Sequence, residues 1–170
     1  MNDWLALGFG SLLLALNAFF VGAEFALISA RRSAIEPRAQ EGSRRAKVTL
    51  RAMEQISLML AGAQLGITIC SLLLLAVVEP AAAHLLEGPF GTLGVSDALL
   101  HPVAFAIALG VVGALHVMVG EMVPKNIALA KPDGAALALA PPLVMIVRLL
   151  RPAIAALNAI ANALLRLGGV

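Results

Sequence analysis

Two carboxylates interrupt apolar segments that are long enough to cross a membrane. Glu24 lies in NAFFVGAEFALISARR and Glu121 lies in GALHVMVGEMVPKN. An ionisable side chain at membrane depth is unfavourable unless a partner offsets its charge, so such residues usually mark the path of an ion or a proton. These two acids are therefore the first candidates for function.

Further polar or small residues share a helix face within the first two segments. Asn17 precedes Glu24 by two helical turns, so both side chains lie on one side of the first segment. The second segment carries Gln64 on a polar stripe, and Gly62 and Gly66 form a GxxxG pattern that lets two helix backbones approach closely.

The third segment combines its carboxylate with a helix-breaking residue. Gly113, His116, Gly120 and Pro124 run down one side of this segment, with Glu121 beside them. Because proline has no backbone N–H, the carbonyl of Gly120 loses its usual helical partner. A free carbonyl next to a carboxylate offers two hard oxygen ligands of the kind that Mg²⁺ prefers.

Two structural interpretations of the same residues remain open. Asn17 and Gln64 could join helices by hydrogen bonds, which is the commonest role of such residues in membranes. Glu24 and Glu121 could be protonated carboxyls inside a helix bundle.

The composition is that of an integral membrane protein. Hydrophobic residues make up 61% of the 170 residues, charged residues 13%, and the mean hydropathy is +0.95. The net charge of +2 does not indicate nucleic-acid binding, because the basic residues lie in loops or near helix ends. Cys70 is the only cysteine, which excludes an internal disulfide, and no hydrolytic or metalloprotease motif predicts an enzyme.

Hydropathy and charge together predict an all-α protein with three transmembrane helices. The predicted spans are 4–30, 56–78 and 103–123, each long enough to cross about 30 Å of hydrocarbon. The segment 31–51 carries seven Lys or Arg residues, and 79–101 carries none. By the positive-inside rule, the first of these loops is cytoplasmic and the N-terminus lies outside.

The remaining segments are predicted to be helices on the cytoplasmic side. Within 31–55, Glu36 and Pro37 indicate a helix start and Gly42 and Ser43 indicate a turn, which together predict a helical hairpin. The last part of the chain, about 134–166, is apolar but contains internal prolines and arginines.

Pro141 and Pro142 should break the helix of this last segment, and Arg148 and Arg151 would each cost ~2.5 to 3.5 kcal/mol at a bilayer centre. The prediction is therefore a pair of interfacial helices that form a juxtamembrane belt, and not a fourth span.

Three stretches resemble one known family. They are NAFFVGAEFALISARRSAIE, AGAQLGITICSLLL, and GEMVPKNIALAKPD followed by APPL. In order and spacing they resemble the transmembrane (DUF21) domain of the CNNM/CorC family of Mg²⁺ transporters. The resemblance implies a homodimer in the inner or plasma membrane, with three spans per subunit and a cytoplasmic helical belt. It also implies Mg²⁺ export, proposed to be coupled to inward Na⁺ movement, and cytoplasmic CBS domains in a full-length chain.

The resemblance also implies a set of metal-binding residues. Members of the family have a serine before the GAE triplet and an asparagine in the second helix, where this chain has Val21 and Ala63. Our hypothesis is a cytoplasm-facing Mg²⁺ site whose opening would involve sliding at Gly62, Gly66 and Gly113. The residues proposed for the site are Glu121, the Gly120 carbonyl, Glu24, Gln64 and Asn17.

The alternative hypothesis is a membrane scaffold that senses Mg²⁺ or regulates another transporter and has no permeation path of its own. The feature that favours it is the lack of polar residues in the outer halves of the first and third spans. Ion flux through purified protein in liposomes would separate the two hypotheses.

Overall fold

The computed structural model is helical throughout the residues that it describes, so the predicted all-α fold is confirmed. These residues are 2–92 and 96–167, without the side chains at 97, 98, 162 and 165–167. Tertiary contacts divide the chain into two compact units. Unit 1 comprises Met1–Val21 and Gly66–Asn126, and unit 2 comprises Gly22–Leu65 and Ile127–Val170.

The chain contains eight α-helices and two π-helical segments within the described residues. In order they are α1 (Asp3–Ser29), α2 (Arg32–Gln40), α3 (Arg44–Glu54), α4 (Ile56–Leu73), the first π segment (Leu74–Val78), α5 (Glu79–Thr92), α6 (Asp97–Leu115), the second π segment (His116–Met122), α7 (Val123–Ala130) and α8 (Pro132–Leu167).

Both π segments lie in unit 1 and end shortly before a proline. The first ends at Val78, two residues before Pro80, and the second ends at Met122, two residues before Pro124. Proline lacks the N–H of the helical ladder and its ring clashes with the carbonyl four residues earlier, so a wider turn relieves the clash. The predicted span 56–78 therefore lies within a longer helical stretch that continues past Pro80 to Thr92.

Unit 1 is closely packed at two glycines. A Cβ atom on Gly10 would lie 2.5 Å from Val78 Cγ2, and one on Gly66 would lie 2.5 Å from Phe20 Cζ. Both separations are shorter than any real contact between carbon atoms, so each position requires glycine as long as its neighbour keeps its place. Further along the chain, α5 packs against α6.

In unit 2, α2 and α3 form the predicted helical hairpin. Gly42 occupies the turn with a φ of 97°, a conformation that favours glycine, and the Ser43 hydroxyl caps α3 by accepting a hydrogen bond from the Ala46 N–H. The turn prediction is confirmed. The predicted start at Glu36 and Pro37 is wrong, because α2 begins earlier and includes Pro37.

The core of unit 2 joins this hairpin to α8. Ile35 and Ala46 are fully buried in one cluster with Ala136 of α8. The start of α8 is also fixed by Asp133, which accepts hydrogen bonds from the backbone N–H and the guanidinium of Arg31 at 2.9 and 3.0 Å.

The long helix α8 is continuous, so the break predicted at Pro141 and Pro142 is wrong. A proline inside a helix costs about 3 kcal/mol. Burial of Leu143 and Val147, both completely inaccessible, contributes about 1.5 to 3 kcal/mol for each side chain. Packing of α8 in unit 2 can therefore offset the hydrogen bonds that the prolines remove.

Four helical stretches among the described residues are long and apolar enough to cross a membrane. They are Asp3–Ser29, Ile56–Thr92, Leu99–Ala130 and Pro132–Ala161. The chain is accordingly a multi-pass membrane protein. The prediction that only the first three cross stays a prediction.

Candidate functional site

Asn17 and Gly120 meet inside unit 1. The Asn17 amide is completely buried, and its Nδ2 donates a hydrogen bond of 3.0 Å to the Gly120 carbonyl. The Oδ1 atom of the same side chain has no hydrogen-bond partner among the described residues. A buried amide oxygen without a partner is energetically unfavourable, so this oxygen is suited to bind a cation.

The second π segment brings His116 towards Glu121. In a π-helix, residues five apart are linked by the backbone hydrogen bonds, and here His116 Nε2 lies 3.7 Å from Glu121 Oε1. This separation allows an ion pair when the ring is charged but is too long for a hydrogen bond. This contact therefore leaves the carboxylate oxygens of Glu121 able to bind another ligand.

His116 also connects to α4 through Ser71. The Ser71 hydroxyl donates to the Ile67 carbonyl at 2.9 Å, and the same oxygen lies 3.0 Å from His116 Nε2, within hydrogen-bond distance. A row of polar groups thus runs within unit 1 from Asn17 and Gly120 to His116 and Ser71.

Glu79 extends this row and was not among the predicted site residues. Its side chain is only 4% exposed, and Oε1 has no hydrogen-bond partner among the described residues. It lines a cavity of about 70 Å³ together with Ser71, Gly113 and His116. The cavity has room for roughly two water molecules or a small partly hydrated ion.

Two pairs of ionisable side chains lie elsewhere in unit 1. His84 Nδ1 is 2.8 Å from Asp3 Oδ2, and His101 Nδ1 is 2.6 Å from Glu87 Oε1. Unit 1 therefore has two further polar contacts, one between the start of α1 and α5 and one between α5 and the start of α6.

Glu24 and Gln64 form the second predicted pair, and both belong to unit 2. Gln64 Nε2 lies 3.4 Å from Glu24 Oε1, which is a weak hydrogen bond at most. A weakly held carboxylate and an amide are again hard oxygen ligands. The five predicted site residues thus form two sets: Asn17, Gly120 and Glu121 in unit 1, and Glu24 and Gln64 in unit 2.

The three glycines predicted to allow sliding differ in their surroundings. A Cβ on Gly62 would overlap Val147, and Gly66 is closed by Phe20, so both are sites of close packing. No described atom lies within 4 Å of the corresponding position at Gly113, which faces the cavity beside Glu79.

Neither set is a preformed cage of charged ligands. No group of three or more His, Cys, Asp or Glu side chains lies together in the part of the chain that the structure describes. Carboxylate, amide and carbonyl oxygens are mixed instead. Such a donor set suits an ion that keeps several of its waters, as Mg²⁺ does.

The chain is similar to several curated proteins from bacteria. It is 56% identical over 159 residues to the uncharacterized protein Rv1841c of Mycobacterium tuberculosis, covering 94% of this chain and 45% of that protein. It is 40% identical over 170 residues to the UPF0053 protein YhdT of Bacillus subtilis, and 32% identical over 166 residues to the UPF0053 protein sll0260 of Synechocystis. These alignments cover 100% and 98% of this chain and 37% of each relative.

The chain therefore spans less than half the length of these relatives. A family described as the cyclin M transmembrane N-terminal domain, CNNM, matches residues 9–170, in agreement with the resemblance found in the sequence. Because this match covers nearly every residue and includes both predicted polar sets, the chain belongs to the CNNM transmembrane domain family.

Proposed function

We propose that this chain is the membrane domain of a divalent-cation transporter that moves Mg²⁺ out of the cytoplasm, with inward Na⁺ movement as the driving force. The observation that carries the proposal is the row of polar groups in unit 1. It contains two buried oxygens, Asn17 Oδ1 and Glu79 Oε1, without a hydrogen-bond partner in the described chain.

Each polar set would contribute ligands to the ion at a different stage. In unit 1, Asn17 Oδ1, the Gly120 carbonyl and the Glu121 carboxylate would replace some waters of a hydrated Mg²⁺, and the carboxylate would offset part of its charge. In unit 2, Glu24 and Gln64 offer one further carboxylate and one amide.

The cavity beside Glu79 weakens the main argument for a scaffold without a path, because the second helical stretch supplies Ser71 and Glu79 to it. That argument was the scarcity of polar residues in the outer halves of the first and third spans. The cavity beside Glu79 supplies a carboxylate, a hydroxyl and an imidazole beyond the Asn17–Gly120 contact. A transported ion therefore has polar partners after it leaves the first set.

We also propose that three helices cross the cell membrane, that the N-terminus lies outside, and that two copies of the chain form the functional unit. The seven basic residues in 31–51 support this orientation. In the apolar 18-residue window of the stretch Leu99–Ala130, only 17% is buried within one copy, so much apolar surface is left for lipid or for a second copy. Mass measurement of the protein in detergent would test the dimer.

The decisive experiment is Mg²⁺ flux into liposomes that contain the purified protein and a trapped Mg²⁺ indicator. We expect flux that depends on a Na⁺ gradient, is abolished in Glu121→Gln, and persists in Glu36→Gln, which removes an exposed carboxylate of α2. If Mg²⁺ raises the thermal stability of the protein but no flux occurs, the domain is a Mg²⁺-sensing scaffold. If neither response occurs, the proposed function is wrong.

A further inference from the structure

Three arginines line one cavity in unit 2. The cavity has a volume of about 230 Å³, and its polar wall consists of Arg51, Arg148, Arg151 and Gln55. The rest of the wall is apolar, and no carboxylate contributes to it. We call this space the arginine cavity.

The positive charge of the arginine cavity is not neutralised within the described part of the chain. None of its three guanidinium groups forms a salt bridge there, and the neighbouring Glu54 is paired with Arg32 at 3.2 Å. Arg148 and Arg151 lie one turn apart on α8, and Arg51 lies in the last turn of α3. Like charges gathered in this way repel each other unless an anion joins them.

We propose that the arginine cavity binds the phosphate group of an anionic phospholipid. Guanidinium groups recognise phosphate through paired hydrogen bonds, and several of them together favour a group with more than one negative oxygen. The Gln55 amide adds a neutral donor beside them. The chemistry of the polar wall therefore selects a phosphate.

The size and the apolar surroundings of the cavity favour a lipid over a larger phosphate compound. A volume of about 230 Å³ is below the roughly 300 to 1,000 Å³ of pockets that enclose drug-sized ligands, so a nucleotide would not be enclosed. A phosphate with its glycerol would fit. Leu58, Met59 and Val144 line the cavity, and Met145 and Leu149 on α8 are 69% and 80% exposed, which provides an apolar surface for acyl chains.

The test is a thermal-stability titration of the full chain in detergent. The additives are phosphatidylglycerol, zwitterionic phosphatidylcholine and inorganic phosphate, each at constant ionic strength. We expect phosphatidylglycerol to raise the melting temperature and phosphatidylcholine to have no effect. The double variant Arg148→Gln/Arg151→Gln should weaken the apparent affinity for phosphatidylglycerol about 30-fold, since each arginine contributes roughly 1 kcal/mol near an anionic membrane surface.

The matched control removes two positive charges from the first turn of α3, which also lies in unit 2. Arg44→Gln/Arg45→Gln should keep the wild-type response, because neither side chain lines the cavity. If the cavity double variant does not fold, Arg148→Lys/Arg151→Lys keeps the charge and removes the paired hydrogen bonds, so it should show a weaker response.

The outcomes separate the sources of the phosphate. A response to inorganic phosphate as strong as that to phosphatidylglycerol would assign the cavity to free phosphate and overturn the lipid proposal. Equal responses to both lipids, or equal losses in the two double variants, would also overturn it. The proposal does not depend on Mg²⁺ transport, because all residues involved lie in the arginine cavity and the readout is lipid binding.

Discussion

Replacement of Gly120 by alanine tests whether the Asn17–Gly120 hydrogen bond stabilises the fold and requires glycine at position 120. An added Cβ would lie 3.1 Å from Asn17 Nδ2 and 3.3 Å from His116 Cδ2. Both distances are tighter than normal contacts, so Asn17 would have to move away from the carbonyl to which it donates. We therefore expect the substitution to break the 3.0 Å hydrogen bond and to disturb the polar row of unit 1.

The expected change in stability follows from three contributions. Alanine in place of a helical glycine ordinarily stabilises by about 1 kcal/mol. Crowding in a packed interior costs about 1 to 3 kcal/mol, and a lost interhelical hydrogen bond in a membrane protein costs about 0.6 to 1.7 kcal/mol. The net effect of Gly120→Ala is a destabilisation of about 1 to 4 kcal/mol.

The assay is chemical unfolding in detergent micelles followed by circular dichroism. Gly110→Ala is the matched control, because Gly110 is an exposed position with no atom within 4 Å of the added Cβ, and we expect it to stabilise by up to about 1 kcal/mol. Asn17→Ala removes the atom closest to the new methyl group, so Asn17→Ala and Gly120→Ala should be less than additive when combined. A Gly120→Ala variant as stable as Gly110→Ala, or full additivity, would refute this reasoning.

Three further predictions concern other parts of the chain. Gly62→Ala should destabilise by about 1 to 3 kcal/mol in the same unfolding assay because its methyl group overlaps the fully buried Val147, and Val147→Ala in the same chain should restore much of the loss. Glu79→Gln, which keeps the shape and removes the charge, should lower Mg²⁺ flux in liposomes; unchanged flux would mean that the carboxyl is already neutral or off the path. In a Cys70→Ala background, a cysteine at Ala161 should react with an impermeant thiol reagent only from the cytoplasmic side, and labelling from outside would show that α8 crosses.

The sequence predicted the polar residues of the helices better than it predicted where the helices end. Two-turn spacing and the missing N–H of Pro124 pointed to Asn17 and the Gly120 carbonyl, and the structure joins these two groups. Spacing within one helix cannot reveal which side chain of another helix meets it. The contact of Ser71 with His116 depends on packing between distant segments and was therefore not predicted.

The buried acid Glu79 was not predicted from the sequence, and its position explains why. Glu79 lies at the end of the apolar run and directly precedes Pro80. A charged residue followed by proline normally marks the end of a helix. The structure instead continues the helix by widening it into the first π segment, and this buries the carboxylate. A proline that follows a long apolar run and is itself followed by helix-forming residues such as AAAHLLE was the signal for a continued helix.

The neighbours of α8 in unit 2 favour a different position in the membrane from the one that its hydropathy alone would predict. Between Ala136 and Arg151 it lies beside α3, a strongly basic helix that is costly to place in hydrocarbon, and beside Gly62 in the first half of α4. These contacts support the prediction that this part of α8 stays near the headgroups. The rest, from Pro152 to Leu167, is about 16 residues or ~24 Å long, less than the ~30 Å needed to cross. If this prediction holds, a continuous helix that is apolar enough to cross lies along the membrane surface, and labelling at position 161 distinguishes this arrangement from a fourth span.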